Sequence, residues 1–271
     1  MDFQDLLKLN LCFVNAGGYA KYIFRLLSLP RTLMLLKRNK KLISGRKHDT
    51  CYICGLGPSL VDVDLDKLAD LPADTIVVNR FTKMAESTKL QPTYYLMVDN
   101  AFAIPPIREV LDEAVKLYPN TNFIWNINFP KLDRHIMELP CKKYFIAMFK
   151  GYYNKPKEID LTNVLPAMGN CVCTAIGCAI GLGYKRIVLL GCDFNSFASQ
   201  HQVHCYDGGY SGNAPRLYSL DYELFAYSFD AAVHLNLGKY AKLCGVQIFN
   251  ATKGSLIDAY ERVDMPELYK N

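Results

Sequence analysis

Seven apolar runs of strand length, with helical patterns between several of them, constrain this chain more than any other feature. They are Thr50–Cys54, Thr75–Val78, Thr93–Val98, Asn122–Trp125, Lys143–Met148, Arg186–Leu190 and Val246–Phe249. The runs are continuous rather than alternating, so both faces of each strand must be covered. Helical patterns fit Pro106–Leu117, Cys171–Leu182 and Asp221–Cys244. Strands and helices in this order predict an α/β fold with a mostly parallel sheet and helices on both faces. Apolar residues make up 51% of the 271 and charged residues 21%, enough to bury a full core and too apolar for a disordered chain.

Polar or small residues end several runs. The first stops at Gly55-Leu56-Gly57-Pro58-Ser59-Leu60, the second at Asn79-Arg80 and the third at Asp99-Asn100. The run 187–190 stops at Gly191-Cys192-Asp193-Phe194-Asn195. In a parallel sheet these ends share one edge, where ligands bind in the crevice. Glycine lets main chain approach a ligand, and amides opening the next helix suit an anion. Together the ends predict a nucleotide-type site. Gly169-Asn170-Cys171 opens a helix of small residues, which suits either a phosphate or close packing on the sheet.

From Asn195 to Tyr218 the chain is rich in Ser, Gly, His and Tyr, as expected of a lid or binding loop. It carries His201, His204, Tyr206 and Tyr210. His201-x-x-His204 has metal-ligand spacing without a convincing carboxylate partner, and a histidine here is equally a candidate general base. Asp62-Val63-Asp64-Leu65-Asp66 contains Asp-x-Asp twice, a pattern sugar-nucleotide transferases use for a divalent metal, but its place after the glycine turn suits helix capping better.

The net charge of +5 is unevenly distributed. No acidic residue occurs from Leu6 to His48, so the first 48 residues carry +8 and the remainder −3. The segment is also apolar around Tyr22–Leu29 and Leu33–Leu36, with Pro30 dividing two short helices. Its positive charges are too frequent for a spanning helix, and Asp2 and Asp5 argue against a signal peptide. Two readings remain: an amphipathic arm on an anionic membrane face, or one packed on the domain or a second subunit. No nucleic-acid module accompanies the basic stretch. The ten cysteines form no second Cys-x-x-Cys pair, which favours buried thiols in a reducing, cytoplasmic setting.

Three blocks resemble glycosyltransferase family 42, the bacterial sialyltransferases that use CMP-activated nonulosonic acids, and a related pterin-pyrophosphokinase-like family. They are Gly55–Leu60, Val78-Asn79-Arg80-Phe81 and Ala179–Phe194, with Asn250 and Ser255-Leu256 near the end. The resemblance covers roughly residues 50–100 and 165–260, not the basic arm, and implies a Rossmann-like domain with a lid loop over 49–271. The helical arm over 1–48 rests on its charge and apolar pattern alone. The resemblance implies nucleotide contacts at Gly55, Gly57, Ser59 and Asn79, and donor ribose or phosphate near Asp99. It implies phosphate contacts at Asn170 and Cys171, a ribose contact at Asp193, and His204 as general base.

The chain departs from the family at Leu56 and Asp99, where the enzymes carry asparagine, and at Asn195, where they carry a tyrosine that assists the leaving phosphate. Tyr206 or Tyr210 is a candidate substitute. The expected reaction needs no metal and no cofactor beyond the CMP-sugar donor, and its acceptor is a glycan or lipid-linked hydroxyl. The expected location is the inner face of a bacterial membrane, with homo-oligomers allowed. Two alternatives stay open: a pterin-type pyrophosphokinase using ATP and Mg²⁺ with Asp99 and Asp193 as ligands, and a non-catalytic nucleotide-binding scaffold.

Overall fold

The computed structural model describes residues 28–99, 109–127, 133–206 and 215–265. In chain order the regular elements are α1 (Leu29–Leu36), α2 (Asn39–Ser44), β1 (Thr50–Cys54), α3 (Leu65–Ala69), β2 (Asp74–Val78) and β3 (Tyr94–Met97). There follow α4 (Glu109–Leu117), β4 (Asn122–Asn126), α5 (Asp133–Glu138), β5 (Lys142–Ile146), β6 (Met148–Tyr152) and β7 (Leu165–Ala167). The last are α6 (Cys171–Gly181), β8 (Arg186–Leu190), α7 (Leu220–Leu243), β9 (Gln247–Asn250) and β10 (Glu261–Arg262).

Eight strands form one sheet in the order β10-β9-β8-β1-β2-β3-β4-β5, every pair parallel. Strand parity divides the core, because successive side chains point to opposite faces. Cys51, Ile53, Ile76, Val78, Leu96, Ile187 and Leu189 pack on one face with α6 and the C-terminal half of α7. Tyr52, Cys54, Val77, Tyr95, Phe123, Trp125 and Leu190 pack on the other with α1, α3 and α4. Both faces are therefore covered, as continuous apolar strands require.

The run at 143–148 is the main revision to the strand pattern. It divides at Ala147: β5 closes the main sheet, while β6 leaves it to pair with β7 in a separate parallel ribbon. The short strands β7 and β10 had no apolar-run signal of their own.

The described part of the basic segment lies on the domain. Leu35, Leu36 and Leu42 are buried, and the Asn39 amide donates to the Phe145 and Leu161 carbonyls at 2.7 Å each. Arg31, Lys37, Arg38, Lys40 and Lys41 remain exposed. What the sequence suggests for residues 1–27 lies outside the described residues. Among the described residues no helix is long and apolar enough to cross a membrane. The nine described cysteines are free thiols, five of them buried. In the Asp-x-Asp stretch, Asp64 caps α3 by accepting from Lys67 N, and Asp66 accepts from Thr88 Oγ1 and Lys89 N.

Candidate active-site cleft

All main-sheet strands point the same way, so their carboxyl ends form one edge. The chain runs outward from β1 to β5 on one side and then crosses to β8, β9 and β10 on the other. The reversal between β1 and β8 opens a crevice at that edge. A cleft of about 810 Å³ lies there, reaching across the ends of β1, β2, β3 and β8 to α6, α7 and the lid loop.

Its base is an interlock between the loops after β1 and β8. Gly55 N donates to Leu190 O at 2.8 Å and Gly57 N to Gly191 O at 2.9 Å. A Cβ on Gly55 would lie 2.4 Å from Gly191 O, and one on Gly57 would lie 2.0 Å from Asp193 Oδ2. Gly57 has extended backbone, with φ −68° and ψ 161°, so close approach rather than conformation demands glycine. The neighbour approached most closely is the chain's own β8 loop. Asp193, 5% exposed, accepts from Ser59 N at 3.3 Å and from Ser59 Oγ at 2.7 Å.

Two non-glycine residues among those described have positive φ, Asn79 at 47° and Phe194 at 59°, and both line the cleft. Such strain concentrates at functional sites. Asn79 ends β2, its N–H donates to Leu96 O, and its carbonyl accepts from the Tyr95 hydroxyl at 2.7 Å. Its side-chain Oδ1 is buried without a hydrogen-bond partner among the described residues. Asp99, after β3, also lines the cleft.

Opposite, Asn170 caps α6: its Oδ1 accepts from Cys173 N at 2.9 Å, and its Nδ2 donates to Asp230 Oδ2 at 2.9 Å. Gly169 has φ +70°, and a Cβ there would lie 2.0 Å from Asp230 Oδ1. Burial pushes the Asp230 carboxyl up to about 6, against the lowering effect of the Asn170 donors. Burial raises the Cys171 thiol to about 12, with Asp99 and Asp230 adding to the rise, so it stands as a neutral thiol. Asp230 therefore contributes stability that is fully present below the ordinary carboxylate range and lost as pH rises through about 6. Asp230→Asn should remove that part of the pH dependence, at most on the order of 3 kcal/mol between pH 4 and 8. Urea unfolding of both proteins across that range measures it, and parallel pH profiles would refute the assignment.

The lid is stitched at its stem. His201 bridges Pro215 in antiparallel fashion, and Arg216 N donates to Gln200 O at 3.0 Å. The Arg216 guanidinium is held by the Phe197 and Ser199 carbonyls and lies 3.9 Å from Glu223. Cys205 N donates to Leu56 O at 2.9 Å, which fastens the lid to the glycine turn. Leu56 itself packs against the cores of both faces. His204 lines the cleft and stacks on Tyr206, with ring centroids 5.0 Å apart and planes at 10°.

Of the residues singled out from sequence, Gly57, Asn79, Asp99, Asn170, Cys171, Asp193, Asn195 and His204 line this one cleft. Gly55 and Ser59 stand behind it in the loop interlock, Tyr206 supports His204, and Tyr210 lies outside the described residues. Sequence reading missed the wall supplied by α7. Glu223, Tyr227, Asp230 and His234 all line the cleft at spacings of four, three and four, a single helical face. That polar stripe was the available signal. Among the described residues no three His, Cys, Asp or Glu come together as a metal site, the His201-His204 pair included.

The fold is shared with known glycosyltransferases. Against the MAf glycosyltransferase from Magnetospirillum magneticum AMB-1 the TM-score is 0.53 at 16% identity, over 80% of this chain. This chain spans about a third of that protein, 34%. Against an asparagine-to-alanine variant of the sialyltransferase CST-II in complex with CMP, the TM-score is 0.50 at 17% identity, over 82% of this chain and 88% of that one. No family model and no curated protein matches the chain. At these identities the likeness concerns fold, and function rests on the site.

Proposed function

We propose that the cleft is a glycosyl-transfer site with a nucleotide-activated donor, a CMP-linked nonulosonic acid, and a glycan or lipid-linked hydroxyl as acceptor. The observation that carries this reading is Asn79: a residue of positive φ at the carboxyl edge of the sheet, with a buried side-chain oxygen that no described residue satisfies. A cytosine amino group or a ribose hydroxyl supplies the missing donor. The family resemblance of the strand ends and the shared glycosyltransferase fold support the same reading.

In the proposed step, the acceptor oxygen attacks the anomeric carbon as the bond from that carbon to the phosphate oxygen breaks. CMP leaves with the bonding electrons, and His204 takes the acceptor proton. Amides at the α6 N-terminus, capped by Asn170, face the departing phosphate. Tyr206 and Tyr210 are the lid hydroxyls proposed to assist it. The wall carboxylates Asp99 and Asp230 suit sugar and ribose hydroxyls, which donate to them, better than phosphate oxygens. The scheme uses no metal. The exposed lysines and arginines of 31–41 suit a peripheral position on an anionic membrane face.

Thermal shift with CMP, CDP, UDP and ATP, each with and without Mg²⁺, tests the donor. Stabilisation of several degrees by CMP without metal is expected. Stabilisation by ATP only with Mg²⁺ would replace transfer with pyrophosphokinase chemistry. CMP binding without turnover on any acceptor would favour a nucleotide-binding scaffold.

A further inference from the structure

Seven buried side-chain polar atoms among the described residues lack a hydrogen-bond partner, and three belong to residues lining the cleft: Asn79 Oδ1, Glu223 Oε2 and His234 Nε2. Such atoms are rare because an unmet buried group loses its hydration without compensation. Glu223 faces Arg216 at 3.9 Å, and Asn79 is the residue assigned to the nucleotide in the proposed function. His234 is not accounted for.

His234 lies in α7, one turn beyond Asp230, and is 1% exposed. Phe194 and Tyr260 meet its ring edge-to-face, at centroid distances of 5.3 and 5.6 Å. Its Nδ1 is 3.0 Å from the Tyr260 hydroxyl. Among the described residues that buried phenol has one partner in reach, so it leaves no donor unmet on its side only by donating to Nδ1. The imidazole proton is then on Nε2. Burial pushes the ring down to about 4, so it is neutral near pH 7 and offers a hydrogen bond rather than a charge.

We infer that His234 is a binding residue whose Nε2–H donates to a neutral oxygen, hydroxyl or carbonyl, of the glycosyl group in the cleft. A phosphate or carboxylate oxygen is disfavoured at this place. Asp230 stands one turn before His234 on the same wall, and Asp193 adjoins the Phe194 ring that packs on the imidazole. A sugar hydroxyl can accept from Nε2–H and donate to a carboxylate, which an anionic oxygen cannot do. The inference rests on the glycosyl-transfer reading for its ligand class, while the imidazole tautomer follows from Tyr260 alone.

Titration calorimetry on the full chain, with CMP, CMP-N-acetylneuraminic acid and UDP-galactose as probes, tests it. His234→Leu alone would strand the Tyr260 hydroxyl, so the comparison is His234→Leu/Tyr260→Phe against Tyr260→Phe. The double variant should bind the sugar nucleotide about tenfold more weakly than the single variant, the worth of one hydrogen bond, with CMP affinity within about twofold. An unchanged sugar-nucleotide affinity, or an equal loss for CMP, overturns the inference. NMR of ¹⁵N-histidine-labelled wild type guards against misfolded variants: His234 should be the Nε2–H tautomer, and an Nδ1–H tautomer overturns the inference outright. If UDP-galactose binds with this dependence and the CMP-sugar does not, the CMP donor is wrong and His234 keeps its role. If neither sugar nucleotide binds or shifts the His234 resonances, both readings fall.

Discussion

Gly57→Ala is expected to destabilise the protein by about 3–5 kcal/mol and to abolish nucleotide binding. The added Cβ would lie 2.0 Å from Asp193 Oδ2, 2.7 Å from Asp193 Cγ and 2.9 Å from Gly191 O. Asp193 is buried and bonded to Ser59 N and Oγ, so moving aside costs it those bonds. Asp193→Ala loses those bonds without the clash and should cost less. Because both changes act on one contact, Gly57→Ala/Asp193→Ala should fall short of additivity by more than about 1 kcal/mol. Urea unfolding of the four proteins measures this, and a Gly57→Ala variant as stable as wild type would contradict the interlock.

His204→Ala should lower turnover by about 10²–10⁴-fold while the CMP thermal shift stays within a degree of wild type. The prediction follows from its place on the cleft wall and from the Tyr206 ring that stacks on it. Its readout is initial rate at saturating donor and acceptor. Normal turnover would move the base elsewhere, with Asp230 the next group to test, since burial raises its carboxyl toward neutral pH.

Particular residues show where sequence reasoning succeeded and where it stopped. Runs such as Ile187–Leu190 and Thr75–Val78 identify buried parallel strands because continuous apolarity is a local property that only two-sided burial satisfies. Once the strands are parallel, Asn79, Asp99 and Asp193 must share an edge. The run at 143–148 failed because nothing local marks Ala147 as the point where the chain leaves one sheet for another. The α7 wall went unread for a different reason. Glu223, Tyr227, Asp230 and His234 form a polar stripe on a helix, and a polar stripe ordinarily faces solvent.

The sequence alone determined the parallel sheet and its polar edge, since composition and spacing along the chain impose both of them. Only the tertiary structure decided what the glycines at 55 and 57 approach and which face of α7 lines the cleft. Those questions turn on distances between residues more than a hundred positions apart, such as Gly57 and Asp193. Such distances are set by how the β1 and β8 loops pack, and no local pattern of residue types encodes them.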